Sequence, residues 1–185
     1  MLEAEIQALV DERKIYNVLA RYCMGADRRD ASMMLDCYWP EATDDHGIAP
    51  PLGAKEFVTM AVTSDIMKSL SHTQHVLGQV SYAIKGARAQ VESYVISYHK
   101  VMNKPDCIEL LFGNTYKNAH KYTECDGHDL MVGGRYLDLF EKRGEEWRIL
   151  KRVATAEWGF AEPASQVMRE GLFKTGHGPG SAFPE

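Results

Sequence analysis

No stretch of this chain is apolar for the ~18 residues a bilayer-spanning helix needs, and no run of Lys or Arg breaks its acidic balance of -5 at pH 7. The first absence removes a membrane span. The second removes the electrostatic footprint of a phosphate-backbone partner, so no nucleic acid is expected. The start, Met1-Leu2-Glu3-Ala4-Glu5, is acidic and has no apolar core of a secretory signal, which points to a cytoplasmic protein. No Cys-x-x-Cys pair occurs: Cys23, Cys37, Cys107 and Cys125 are widely spaced and read as packed thiols rather than disulfides. A phosphate-cradling glycine loop and a dinucleotide fingerprint are also missing, so no cofactor is expected.

What is present is an ordinary globular composition, 45% hydrophobic and 25% charged over 185 residues, enough for one domain with a substantial core. No internal repeat divides it. Ile6, Leu9, Val10, Ile15, Val18, Leu19 and Tyr22 recur at helical spacing, predicting a helix over 3–24 that ends at Gly25. Asp30-Ala31-Ser32 opens a second helix through Met34 and Tyr38, stopped by Pro40, and 54–70 forms a third. After Ser71 the period changes to two. Residues 71–84, 87–102, 129–142 and 146–158 read as long strands joined by turns at Lys85-Gly86-Ala87 and Arg143-Gly144-Glu145. The plan is α+β, with three N-terminal helices packed on a curved antiparallel sheet. Residues 103–128 show no clear period and read as an irregular insertion, and the Gly-rich tail about 174–185 as a flexible end.

Strand alternation sorts the chemistry-bearing side chains. His75 shares a face with Leu77, and His72 points the other way. His99 aligns with Val91, Ser93, Val95 and Ser97, a mostly apolar face suited to a cavity wall. The opposite face carries Tyr94 and Tyr98 and is either solvated or an oligomer contact. Asp27 follows a helix end, where a carboxylate often only caps, but Asp30 or Ser32 serves the next helix. An aspartate that accepts from an imidazole N–H fixes its tautomer and supports proton transfer near neutral pH. Buried histidines satisfied by neighbours remain the plain alternative. His72 and His75 lie on opposite strand faces, and His120, Cys125 and His128 lack the spacing of a known metal site, so no metal is expected. Gly133-Gly134 precedes Arg135 and Tyr136, of which at most one faces a cavity. The pairs Arg28-Arg29 and Lys151-Arg152 read as solvated.

Together, Thr73-Gln74-His75, the strand ending at His99, Asp27 five residues after Tyr22, and the spacing of Trp147 to Trp158-Gly159 resemble the NTF2-like superfamily, in its scytalone dehydratase and SnoaL-like branch. The resemblance implies a cone-shaped α+β barrel around one deep pocket, often in a homotrimer. It implies Asp27, His75 and His99 as catalytic residues, with Tyr22 where a related dehydratase tyrosine lies. One of the family's two substrate-holding tyrosines falls at Ala26 and the other near Asp45-His46. The family's asparagine falls at Tyr136, beside Arg135. His46, Arg135, Tyr136 and Trp158 are thus the substrate-contact candidates. The expected function is a cofactor-independent lyase, dehydratase-like, acting on a small hydrophobic cyclic or aromatic molecule. A non-catalytic ligand binder, an oxygenase β-subunit-like scaffold, or an isomerase or cyclase on the same pocket is the alternative.

Overall fold

The structure, a computed structural model, describes residues 2–47, 50–121 and 123–164; the expected tail lies outside them. In chain order it contains α1 (Leu2–Arg28), α2 (Ala31–Leu35), β1 (Tyr38–Asp45), β2 (Leu52–Gly53), α3 (Ala54–Thr63), α4 (Asp65–Lys68), β3 (Leu70–Lys85), β4 (Arg88–Val101), α5 (Pro105–His120), β5 (His128–Arg143) and β6 (Glu146–Pro163). The fold is α+β, with helices on the concave face of a curved, unclosed sheet of order β2-β1-β6-β5-β4-β3. Among the described residues no helix is long and apolar enough to cross a membrane.

Helix α1 buries Ile15, Val18, Leu19, Tyr22, Cys23 and Ala26 along one stripe, while Leu2, Ile6, Leu9 and Val10 of its first turns stay exposed. Gly25 does not end it. A Cβ there would lie 2.8 Å from the Met34 side chain and 3.0 Å from the Met34 nitrogen, so this glycine lets α2 cross closely. Termination comes at Arg29, with φ 54, after which Asp30 caps α2 by accepting from the Met33 N–H at 2.9 Å.

Four expectations change. Tyr38 starts a strand rather than finishing a helix, and Pro40 sits where the pairing of β1 slips. That strand runs parallel to β6, so the sheet is not wholly antiparallel. The third helix breaks at Ser64, whose ψ of 160 separates α3 from α4. The segment 103–128 is irregular only in part: Pro105 and Asp106 open α5. Only Ile108 of α5 is buried, which is why no period shows, and Gly113 interrupts it with φ 77. The hairpins turn at Gly86 and Gly144, both at positive φ near 60.

Candidate active site

Three elements meet on the concave side of the sheet. The end of α1 supplies Asp27, and the paired strands β3 and β4 supply His75 and His99. In their register Thr73 faces His99 and His75 faces Ser97, which puts both imidazoles on the concave side as diagonal neighbours. Asp27 Oδ1 accepts from His75 Nδ1 at 2.7 Å, and Oδ2 accepts from the His75 backbone N–H at 3.2 Å. A carboxylate only accepts, so the proton of neutral His75 sits on Nδ1 and Nε2 is left basic. The pair is enclosed but reachable, with side chains 15% and 24% exposed. The His99 ring lies edge-on, its centroid 5.7 Å from that of His75, and its Nδ1 is 2.9 Å from Thr73 Oγ1. Burial, with the neighbouring His75, pushes His99 down to about 4, against the opposing pull of Asp27.

The remaining candidates separate into two groups. Tyr22 and Tyr136 are buried and meet edge to face at 5.7 Å. His46 stacks on Phe57 at 4.3 Å and lies 6.2 Å from Tyr136. Arg135 and Trp158 are instead on the convex face and do not join Asp27 and His75. Arg135 pairs with Glu92 and Glu157, and Trp158 lies flat over Gly133, where even a Cβ would stand 2.0 Å from its ring. The reason is strand parity: Tyr136 points inward, so Arg135 and Gly133 point out.

A buried polar cluster escaped the sequence reading. Arg152, far from solvated, has no exposed side-chain surface and grips Asp138 through two hydrogen bonds of 2.8 and 2.7 Å. Its guanidinium sits 4.1 and 4.0 Å from the ring centroids of Tyr22 and Tyr136. Asp44 accepts from Tyr38 at 2.5 Å and pairs with His46. Burial holds the hydroxyls of Tyr22, Tyr38 and Tyr136 above their ordinary range, so they stay neutral donors. Arg152 was hidden by a bulge. Trp147 and Ile149 point in, the register then slips between Leu139 and Phe140, and parity flips so that Arg152 follows them inward. The legible signal was Asp138, an acid on the inward parity of Tyr136 and Phe140.

Residues 7–153 match the family model for the SnoaL-like domain. The chain belongs to the SnoaL-like family. Solved structures similar to this SnoaL-like chain include a hexachlorocyclohexane dehydrochlorinase, LinA-type3 from Novosphingobium barchaimii. It is 13% identical, with 88% of this chain and 96% of that one covered and a TM-score of 0.65. A scytalone dehydratase candidate from Novosphingobium aromaticivorans is 15% identical, with 91% and 99% covered and a TM-score of 0.62. An NTF2-like protein with a cystatin-like fold from the same species is 17% identical, with 83% and 86% covered and a TM-score of 0.59. At these identities the likeness establishes the fold. No curated protein sequence matches the chain. Among the described residues no group of three or more His, Cys, Asp or Glu could hold a metal ion.

Proposed function

We propose that this SnoaL-like chain is a lyase that eliminates water, or a comparable leaving group, from a small hydrophobic cyclic or aromatic molecule, using protein side chains alone. The observation that carries the reading is the double grip of Asp27 on His75, at ring Nδ1 and backbone nitrogen. It leaves Nε2 as the basic nitrogen and stabilises the imidazolium that forms when a C–H proton is taken. The dehydrochlorinase and dehydratase names among the structural neighbours point the same way.

The other groups narrow the assignment. His99, held neutral at pH 7, is a poor proton donor. In the tautomer in which Thr73 donates to its Nδ1, its Nε2–H serves instead as a hydrogen bond to a substrate oxygen. Tyr22, raised by burial and set against Arg152, is likewise no acid at neutral pH. The proton for the leaving group therefore comes from His75 itself, which takes it from carbon and returns it to the departing oxygen on the same face.

The test is incubation with a panel of hydroxylated cyclic and aromatic ketones, scored by mass for loss of water. Turnover that disappears in His75→Ala supports the lyase. Saturable binding of panel members without any turnover would make the chain a ligand binder.

A further inference from the structure

The concave side holds a second histidine–aspartate pair, away from His75. Asp44 stands opposite Arg152 in the β1–β6 register, and His46 follows it with the same inward parity, its ring centroid 6.2 Å from that of Tyr136. Asp44 Oδ1 accepts from His46 Nδ1, and Oδ2 accepts from the Tyr38 hydroxyl at 2.5 Å. A carboxylate only accepts, so neutral His46 carries its proton on Nδ1 and keeps Nε2 as an acceptor. The Asp44 side chain is fully buried and that of His46 is 27% exposed, so the carboxylate is sealed while the ring is reachable. Phe57 stacks on that ring and holds its plane.

Two features define what the pair can take. The first is a buried donor beside it. Arg152 gives Nε and Nη2 to Asp138, and its equally buried Nη1 has no hydrogen-bond partner among the described residues. The guanidinium is 4.0 Å from the Tyr136 ring, which His46 also adjoins. Buried polar groups are ordinarily satisfied. An open acceptor and an open donor around one ring fit a hydroxyl, whose hydrogen meets the imidazole and whose oxygen meets the guanidinium. The second feature is level. Tyr136 faces Ser93 and His75 faces Ser97, so the two pairs act four residues, about 13 Å, apart along β4. An occupant that touches both is elongated.

We propose that His46 is a second proton-accepting residue of this site, and that the substrate is a phenol whose hydroxyl lies at the far end from the C–H that His75 takes. The assignment of that C–H rests on the lyase reading, and the hydroxyl subsite does not. The phenol O–H bond breaks as the His46 Nε2–H bond forms. Asp44 holds the resulting imidazolium, and the phenolate oxygen accepts from Arg152 Nη1. Charge released into the ring eases departure of a leaving group conjugated with it.

The experiment titrates the full chain with 4-nitrophenol at pH 6, where the free phenol is largely un-ionised, and with 4-nitroanisole, which has no hydroxyl hydrogen to give. Neither compound can undergo elimination, so the outcome does not depend on whether the chain is a lyase. The expected result is 4-nitrophenol bound at least about tenfold more tightly than the anisole, with the phenolate absorption band appearing on binding. His46→Phe, which keeps an aromatic ring on Phe57 and is checked for folding by circular dichroism, loses the band and the preference, while His75→Ala keeps both. No saturable binding of 4-nitrophenol, equal affinities in the wild type, a bound phenol that stays un-ionised, a preference that survives His46→Phe, or its loss in His75→Ala would overturn the proposal.

Discussion

Replacing His99 with Gln converts a pH-dependent stability term into a constant one. Folding lowers this imidazole from 6.5 to about 4, chiefly by burial. The folded state therefore binds fewer protons than the unfolded chain between those values, and stability falls as pH drops through them. Above pH 6.5 the term is fully retained. At 1.36 kcal/mol per pKa unit, the full descent to pH 4 costs about 3 kcal/mol. Gln keeps a hydrogen-bonding group near Thr73 but cannot titrate. Urea unfolding of both proteins at pH 7, 6, 5 and 4.5 gives the comparison, because other titrating groups such as His128 act equally in each. Wild type should lose stability faster than His99→Gln, the gap narrowing by about 2 to 3 kcal/mol over that range. Parallel curves would refute a neutral, buried His99, and with it the argument that the leaving-group proton returns from His75.

The buried pair Arg152–Asp138 should be costly to halve: Arg152→Met alone is expected to destabilise by about 3–5 kcal/mol, and pairing it with Asp138→Leu should recover part of that loss in thermal unfolding. Gly134→Ala should cost about 3 kcal/mol by the same measurement, since its Cβ would stand 1.7 Å from the Thr155 carbonyl oxygen. We also propose that the convex face joins copies of the chain, as a trimer. Val76, Ile96 and Trp158 fall in one register row there, with Tyr94 and Phe160 beside it, and all five are exposed in the single chain. Sedimentation should show an oligomer that Ile96→Glu dissociates, and a wild-type monomer at micromolar concentration would contradict this.

Much of this arrangement was legible because period and parity survive in the sequence. The four long strands and the inward facing of His75, Ser93 and His99 all follow from alternation. What alternation cannot show is a bulge, and the slip beside Leu139 turned Arg152 inward unseen. Strand β1 was missed because Pro40 reads as a helix stop, while in the sheet it occupies a place where pairing lapses. Helix α5 was missed because it buries one residue, so hydrophobic period had nothing to report. Asp27 could be named as a partner of His75 only through the family resemblance, since its position depends on where α1 crosses β3.

The central claim is that Asp27 and His75 act as one base. Its most direct measurement is the base-catalysed ring opening of 5-nitrobenzisoxazole, a small aromatic probe whose C–H elimination needs no acid, by wild type, His75→Ala, Asp27→Asn and the double variant, each shown to be folded. The account predicts catalysis by wild type and a loss of about 10²-fold or more in His75→Ala. It also predicts a smaller loss in Asp27→Asn and a double variant no slower than His75→Ala, because groups acting as a unit are non-additive. Undiminished turnover in His75→Ala, or losses that multiply in the double variant, would contradict it.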